Sequence, residues 1–74
     1  MKLFQHLTVL RESTSTSQSA AAKAVGVDRV TLWRWEVGKR VPTYDQLVSL
    51  LDLYGATATQ REAAEAARKS SLSV

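Results

Sequence analysis

A chain of 74 residues with a formal net charge of +3 can form one small domain at most, with a marginal core. It has no cysteine and a single histidine, so disulfides and thiolate metal sites are excluded, and a metal cluster or catalytic triad has almost no scope. We therefore expect no enzyme activity, no metal and no cofactor. No signal-peptide cleavage site or membrane-spanning apolar run occurs, so we expect a cytoplasmic protein that avoids membranes.

The first two predicted helices are separated by a run of hydroxyl side chains. A stripe at i, i+4 and i+7 predicts a helix over about residues 2–12; its members are Leu3, Leu7 and Leu10. The run STSTS at 13–17 favours caps and turns, so the first helix should end near Ser13. Ser17 can then cap a second helix over about 18–25, and Gly26 follows at its end.

The third and fourth predicted helices each begin at a capping residue. Asp28 is a good N-cap for a helix that runs to about Val37 and ends at Gly38. Thr43 opens T-Y-D-Q, which fits a capping box, and Gly55 ends this fourth helix. Its predicted buried face consists of Leu47, Leu50, Leu51 and Tyr54.

The fifth predicted helix starts at Thr59, where T-Q-R-E is another capping box. Its apolar stripe is thin and consists of Ala63, Ala66 and Ala67. Such a stripe buries little area, so it is either a lid on the core or part of a dimer contact. No long alternating stretch suggests a sheet. The sequence therefore predicts an all-α, compact bundle of five short helices in one domain over residues 1–70, with 71–74 as a frayed tail.

The third helix has two unlike faces at about 100° per residue. Leu32 and Trp35 share the side that should face the core. The other side carries Arg29, Val30, Trp33, Arg34 and Val37. The two tryptophans therefore face different ways. Trp33 has three open explanations: it covers the core edge, it stacks on Arg29, or it contacts a DNA backbone, with core packing slightly favoured.

Alanines make the second helix narrow, so that another helix can approach it closely; they are Ala20, Ala21, Ala22 and Ala24. Two short helices joined at Gly26 and Val27, the second exposing basic groups, predict a helix-turn-helix. Such a second helix fits the major groove of B-DNA, which is about 12 Å wide. Between residues 29 and 40 there are four basic residues and one acidic residue. If that acid, Glu36, is used in an internal ion pair, the surface becomes more basic still.

Several short motifs follow one another with a specific spacing. They are Ser17-Gln18, Ala21-Ala22, Gly26-Val27-Asp28, Trp35-Glu36-Val37-Gly38 and Pro42. Together they resemble the lambda-repressor/Cro-like helix-turn-helix domain, also called XRE-type, over about residues 3–55. The resemblance implies a bundle of five helices that binds DNA sequence-specifically as a transcription regulator, usually as a dimer.

The resemblance, together with the two faces of the third helix, gives a set of candidate DNA contacts. They are Gln18, Arg29, Val30, Thr31, Trp33, Arg34, Lys39 and Arg40. Among them, Arg29, Val30 and Arg34 match base-reading positions, while Lys39 and Arg40 match a loop that grips the DNA backbone. An arginine can donate two hydrogen bonds to guanine, and a valine can meet a thymine methyl group.

Other matched positions are structural or depart from the family pattern. Gln18 matches a residue that contacts phosphate and braces base contacts. Arg11 and Glu36 match a buried pair that joins the first helix to the third. Where the family commonly has a glycine and an apolar residue, this chain has Ser15 and Thr16. Their polarity predicts a poorer local core.

The sequence thus predicts binding of a double-stranded DNA operator by a transcription regulator, a repressor rather than an activator. The helix over about 29–37 would lie in the major groove, and the fourth and fifth helices would form a homodimer contact, at least on DNA. The alternative is a protein-interaction module of the same fold, such as an antitoxin-like or adaptor partner. Fold alone does not separate the two, although the basic third helix favours the first. No small-molecule site is evident.

Overall fold

Five helices account for the regular structure of the computed structural model, which describes residues 1–72. They are α1 (Leu3–Ser13), α2 (Gln18–Val25), α3 (Arg29–Glu36), α4 (Tyr44–Leu53) and α5 (Ala58–Leu72). No strand occurs among these described residues. The all-α bundle expected from the sequence is confirmed.

The starts of α2, α3 and α4 lie at the predicted caps. Each capping side chain accepts the backbone amide three residues on: Ser17 Oγ at 3.1 Å, Asp28 Oδ1 at 2.7 Å and Thr43 Oγ1 at 3.2 Å. Gln46 completes the capping box by accepting the amide of Thr43 at 2.9 Å. The α2–α3 turn passes through Gly26, whose φ of +78° closes α2. These side chains satisfy amides that a helix start otherwise leaves unpaired.

The capping residue predicted for α5, Thr59, is wrong by two residues, and the predicted capping box is also wrong. Thr57, not Thr59, accepts the amide of Gln60 at 3.2 Å, and Gln60 accepts the amide of Thr57 at 2.8 Å. Both T-A-T-Q and T-Q-R-E fit the capping pattern. The earlier box caps the helix, which leaves Thr59 inside the first turn.

The apolar stripe of α5 also differs from the prediction. Ala64 is fully buried and Ala67 packs against the core, but Ala63 and Ala66 are exposed. The helix is therefore rotated by about one residue relative to the predicted stripe. Of the tail that we expected to fray, Ser71 and Leu72 lie in the last turn of α5, and residues 73–74 lie outside the described residues.

The core contains the leucines and aromatic residues that the helical spacing predicted. Its large members are Leu3, Leu7, Leu10, Leu32, Trp35, Leu47, Leu50, Leu51 and Tyr54. Ala21 and Ala22 are buried on α2, where their small size lets α3 and α4 pack closely. α1 packs against α3 and α5, so every helix borders the one core.

The α1–α2 turn holds Ser15 in the left-handed region at φ +55°, alone among the described residues other than glycine. This is the position at which the related family commonly has glycine. An L-residue in this conformation costs about 1–2 kcal/mol. A side chain of α1 stabilises this turn, because Arg11 Nη1 donates to the carbonyl of Thr16 at 2.9 Å.

Arg11 also forms an ion pair that joins α1 to α3. Its Nε donates to Oε2 of Glu36 at 2.7 Å and its Nη2 donates to Oε1 at 3.0 Å, so two parallel hydrogen bonds form. The side chains are only 14% and 4% exposed. The hydrogen bond to Glu36 raises the pKa of Arg11 above its ordinary value. The pair is largely shielded from water, so the loss of either partner would leave the charge of the other buried without a counter-charge.

Tyr54 lies beside this pair, and its hydroxyl is a buried polar group without a hydrogen bond. No partner for Tyr54 Oη occurs in the part of the chain that is described. Burial, helped by the negative charge of Glu36, raises the pKa of Tyr54 to about 12. The folded state therefore holds the phenol in its neutral form.

Replacing Glu36 with alanine should lower the free energy of unfolding by about 3 kcal/mol, because the Arg11 guanidinium would stay largely buried without its counter-charge. The matched control is Asp52→Ala, which breaks the exposed pair in which Arg61 Nη2 lies 2.7 Å from Asp52 Oδ1. An exposed pair contributes less than about 1 kcal/mol. Chemical denaturation measures both variants, and equal losses would contradict the importance given to the buried pair.

The raised pKa of Tyr54 predicts a loss of stability at alkaline pH. The unfolded chain releases the phenolic proton near its ordinary value of 10.0, while the folded chain holds it to about 12. This contribution to stability is complete below pH 10 and is lost as the pH rises from 10 to 12. Tyr54→Phe should abolish this loss at alkaline pH, and should leave stability at neutral pH unchanged or slightly higher, because it deletes an unpaired buried hydroxyl.

Unfolding free energies at about pH 8 and about pH 11 measure the effect. Tyr44→Phe, at an exposed tyrosine, is the control and should keep the alkaline loss. An identical alkaline loss in Tyr54→Phe and the wild type would contradict the assignment to Tyr54.

Candidate nucleic-acid interface

The outer face of α3 is open to solvent, as its helical phase predicted. Its exposed side chains are Arg29, Val30, Trp33, Arg34 and, just past the helix end, Val37. On the opposite face Leu32 and Trp35 are buried. The tryptophans therefore have separate environments: Trp35 is 3% exposed and Trp33 is 40% exposed.

The N-terminal end of α3 is fixed by Asp28. The hydrogen bond from the Thr31 amide, with a smaller contribution from the charge of Arg34, lowers the pKa of Asp28. This carboxylate therefore stays ionised as a cap at the positive end of the helix. Thr31 itself is half-buried, so its side chain is less accessible than those of Arg29 and Arg34.

The outer surface between residues 29 and 40 carries positive charge alone. Its four basic side chains are Arg29, Arg34, Lys39 and Arg40, all exposed. The one acid in this range, Glu36, is buried and paired with Arg11. Its charge is therefore neutralised inside the fold, while the cations remain available to an acidic partner.

The basic loop, which consists of residues 39–42 between α3 and α4, folds back over the end of α3. The amides of Lys39 and Arg40 both donate to the carbonyl of Arg34, at 2.9 and 3.3 Å. Gly38 makes this reversal possible with a φ of +84°, and a Cβ atom there would lie only 3.0 Å from Phe4 Cδ1. The loop therefore starts in a fixed position beside the helix.

Lys39 is the cation that lies over Trp33. Its Nζ is 5.1 Å from the centre of a Trp33 ring, a cation–π contact. The sequence offered Arg29 for such stacking, at i−4 on the same helix. Lys39 takes this place instead, because the loop turns back toward the helix after Gly38. The contact holds Lys39 beside the exposed face of α3.

Gln18 is the first residue of α2 and is half-buried. Its Nε2 donates to Oε1 of Glu36 at 3.1 Å. The amide therefore ties α2 to the ion pair and, through it, to α1 and α3. We had expected this residue to contact phosphate, and that role stays a prediction.

Sequence reasoning missed a contact between α5 and the basic loop. Arg68 Nε donates to the carbonyl of Pro42 at 2.9 Å, across 26 positions of the chain. No local signal marks this pair, because helical periodicity relates residues three or four apart. The half-burial of an arginine on a weakly apolar helix is visible only in the folded chain.

None of the helices described over residues 1–72 has the length and apolar character required to cross a membrane. A family model described as a helix-turn-helix domain matches residues 3–72 and so covers all five helices. Neither a curated protein nor a solved structure shows a significant match. The matching family occurs in XRE-like regulators, is typically non-enzymatic and implies DNA as the partner. This chain therefore belongs to the helix-turn-helix domain family.

Proposed function

We propose that this protein binds double-stranded DNA sequence-specifically as a transcription regulator, with α3 in the major groove. The observation that carries the proposal is the charge arrangement along residues 29–40. Four exposed cations surround a short helix whose one acid is buried. A helix whose outer face carries these cations can enter the groove, which is about 12 Å wide, and the carboxylate of its exposed N-cap, Asp28, accepts the Thr31 amide.

Within this proposal, base reading belongs to the outer face of α3. Arg29 and Arg34 can each donate two hydrogen bonds to O6 and N7 of a guanine, which contributes about 1–3 kcal/mol of discrimination. Val30 is 53% exposed and can contact a thymine methyl group. Thr31 and Trp33 flank this surface and complete the contact.

Gripping of the backbone belongs to the loop and to the start of α2. Lys39 and Arg40 are fixed beside α3 by their amides, so their side chains can follow the phosphates that border the groove. Gln18 lies at the N-terminus of α2, where backbone amides point outward. A bound domain of this size occupies its site and excludes other proteins, so we propose repression rather than activation.

We further propose that two copies bind one operator. A dimer of helix-turn-helix domains contacts half-sites about 34 Å apart, which doubles the contact with DNA. We place this contact on α4 and α5, where Leu53 of α4 and Leu72 of α5 each leave an apolar side chain exposed. Selection from a random DNA library should therefore yield an inverted repeat. Analytical ultracentrifugation with the selected site should show two chains per duplex, and a single chain on a non-repeated site would contradict the dimer.

The division between reading and gripping predicts different effects for two substitutions. Arg34→Ala should relax specificity at one base position, by about 1–3 kcal/mol, because one bidentate contact is lost. Lys39→Ala should weaken binding to all sequences alike and reduce the slope of log affinity against log salt by about one unit. Fluorescence anisotropy on the selected site and its single-base variants measures both effects, and identical behaviour of the two variants would contradict this division.

The proposal as a whole depends on binding by the wild type. Specific binding should weaken steeply as salt increases, because neutralised phosphates release counterions. Absence of any DNA affinity at low salt would overturn the proposal. Co-purification of a second protein in fixed stoichiometry would then favour the protein-interaction module.

A further inference from the structure

The loop between α3 and α4 is held by a helix that does not otherwise contribute to the candidate DNA surface. Pro42, in this loop, is fully buried. Its carbonyl accepts the hydrogen bond from Arg68 Nε of α5 at 2.9 Å. The loop residues Lys39 and Arg40 lie three and two positions before Pro42. A displacement of Pro42 therefore also displaces Lys39 and Arg40, which belong to the same short loop.

A second contact joins the same two parts of the chain. The hydroxyl of Tyr44 donates to Oε1 of Glu65 at 3.4 Å. Glu65 and Arg68 are one helical turn apart on α5, and Pro42 and Tyr44 flank the N-cap of α4. Two neighbouring side chains of α5 thus hold the end of the loop, with the Arg68 contact the shorter and more buried of the two.

The beginning of the loop is fixed independently. The carbonyl of Arg34 accepts the amides of Lys39 and Arg40, and Gly38 packs against Phe4. With Pro42 held by Arg68, both ends of the segment that carries the two cations are fixed. A fixed loop loses less conformational entropy when it binds, so it grips phosphate more strongly than a mobile one.

We propose that Arg68 is a positioning residue that places Lys39 and Arg40 for phosphate contact, without contacting DNA itself. This inference rests on the proposed DNA binding. The property of Arg68 that matters for this role is its Nε–H donor, and not its positive charge. The same helix offers a matched comparison, because Arg61 Nε donates to the carbonyl of Ala56 at 3.2 Å and its Nη2 pairs with Asp52, away from the basic loop.

The test compares Arg68→Met with Arg61→Met. Methionine keeps an unbranched apolar side chain and removes the donor. Affinity for a selected DNA site is measured across a range of salt concentrations, at a temperature at which circular dichroism shows both variants folded. Arg68→Met should reduce the slope of log affinity against log salt by about 1–2, because each phosphate contact contributes about 0.9. Arg61→Met should keep the wild-type slope.

A double-mutant cycle separates positioning from direct contact. In a Lys39→Ala, Arg40→Ala background, Arg68→Met should have no further effect on the slope, because the cations through which Arg68 acts are gone. The same reduction in both backgrounds would mean that Arg68 itself contacts DNA, and would overturn the proposal. An unchanged slope for Arg68→Met in the wild-type background would overturn it too.

A measurement on the free protein keeps this inference distinct from the proposed function. The amides of Lys39 and Arg40 should exchange hydrogen faster in Arg68→Met than in Arg61→Met, because release of Pro42 loosens the loop. Faster exchange in Arg68→Met, without DNA binding by any variant, would overturn both the proposed function and the role of Arg68 in DNA binding. Wild-type DNA binding with equal exchange and equal slopes in the two variants would overturn the role of Arg68 alone.

Discussion

The ion pair between Arg11 and Glu36 is the constraint on which the candidate DNA surface depends. It is made by two hydrogen bonds in a largely buried position, and Gln18 adds a third to the same carboxylate. Three helices therefore meet at one acidic group. The pair also determines the charge of the surface, because it removes the one acid of residues 29–40 from contact with solvent. The same ion pair therefore joins the helices and leaves only positive charge on the exposed surface of residues 29–40.

The length of α3 explains why it needs so many attachments. An isolated helix of eight residues is not stable in water, so its shape comes from its surroundings. Asp28 caps its start, Leu32 and Trp35 anchor its middle, and the loop amides satisfy the carbonyl of Arg34 near its end. These three kinds of attachment use the inner face, the ends and the backbone. The outer-face side chains of Arg29, Val30 and Arg34 therefore stay exposed, while Trp33 carries Lys39 over its ring.

Much of the fold could be predicted because its signals are local. Caps at Ser17, Asp28 and Thr43 each depend on a side chain and an amide three residues away, and the core leucines depend on helical spacing. The start of α5 was missed because two capping boxes overlap there and sequence does not rank them. The Lys39 contact with Trp33 was missed because helical periodicity ends at Gly38. Only the folded chain brings Arg68 to Pro42.

The two parts of the proposed DNA surface, the outer face of α3 and the basic loop, have separate supports in this fold. The outer face of α3 is positioned by α1 and α2 through the core and the ion pair, whereas the basic loop is also held by α5 through Arg68. Trp33 lies between the two, since it belongs to α3 and carries the ammonium group of Lys39 over its ring. The different environments of the two tryptophans thus have a physical reason: Trp35 anchors the helix in the core, and Trp33 contacts the loop through Lys39. If α3 reads DNA and the loop grips it, a substitution in α5 that frees the loop would lower the affinity for all DNA sequences before it altered the preference among them.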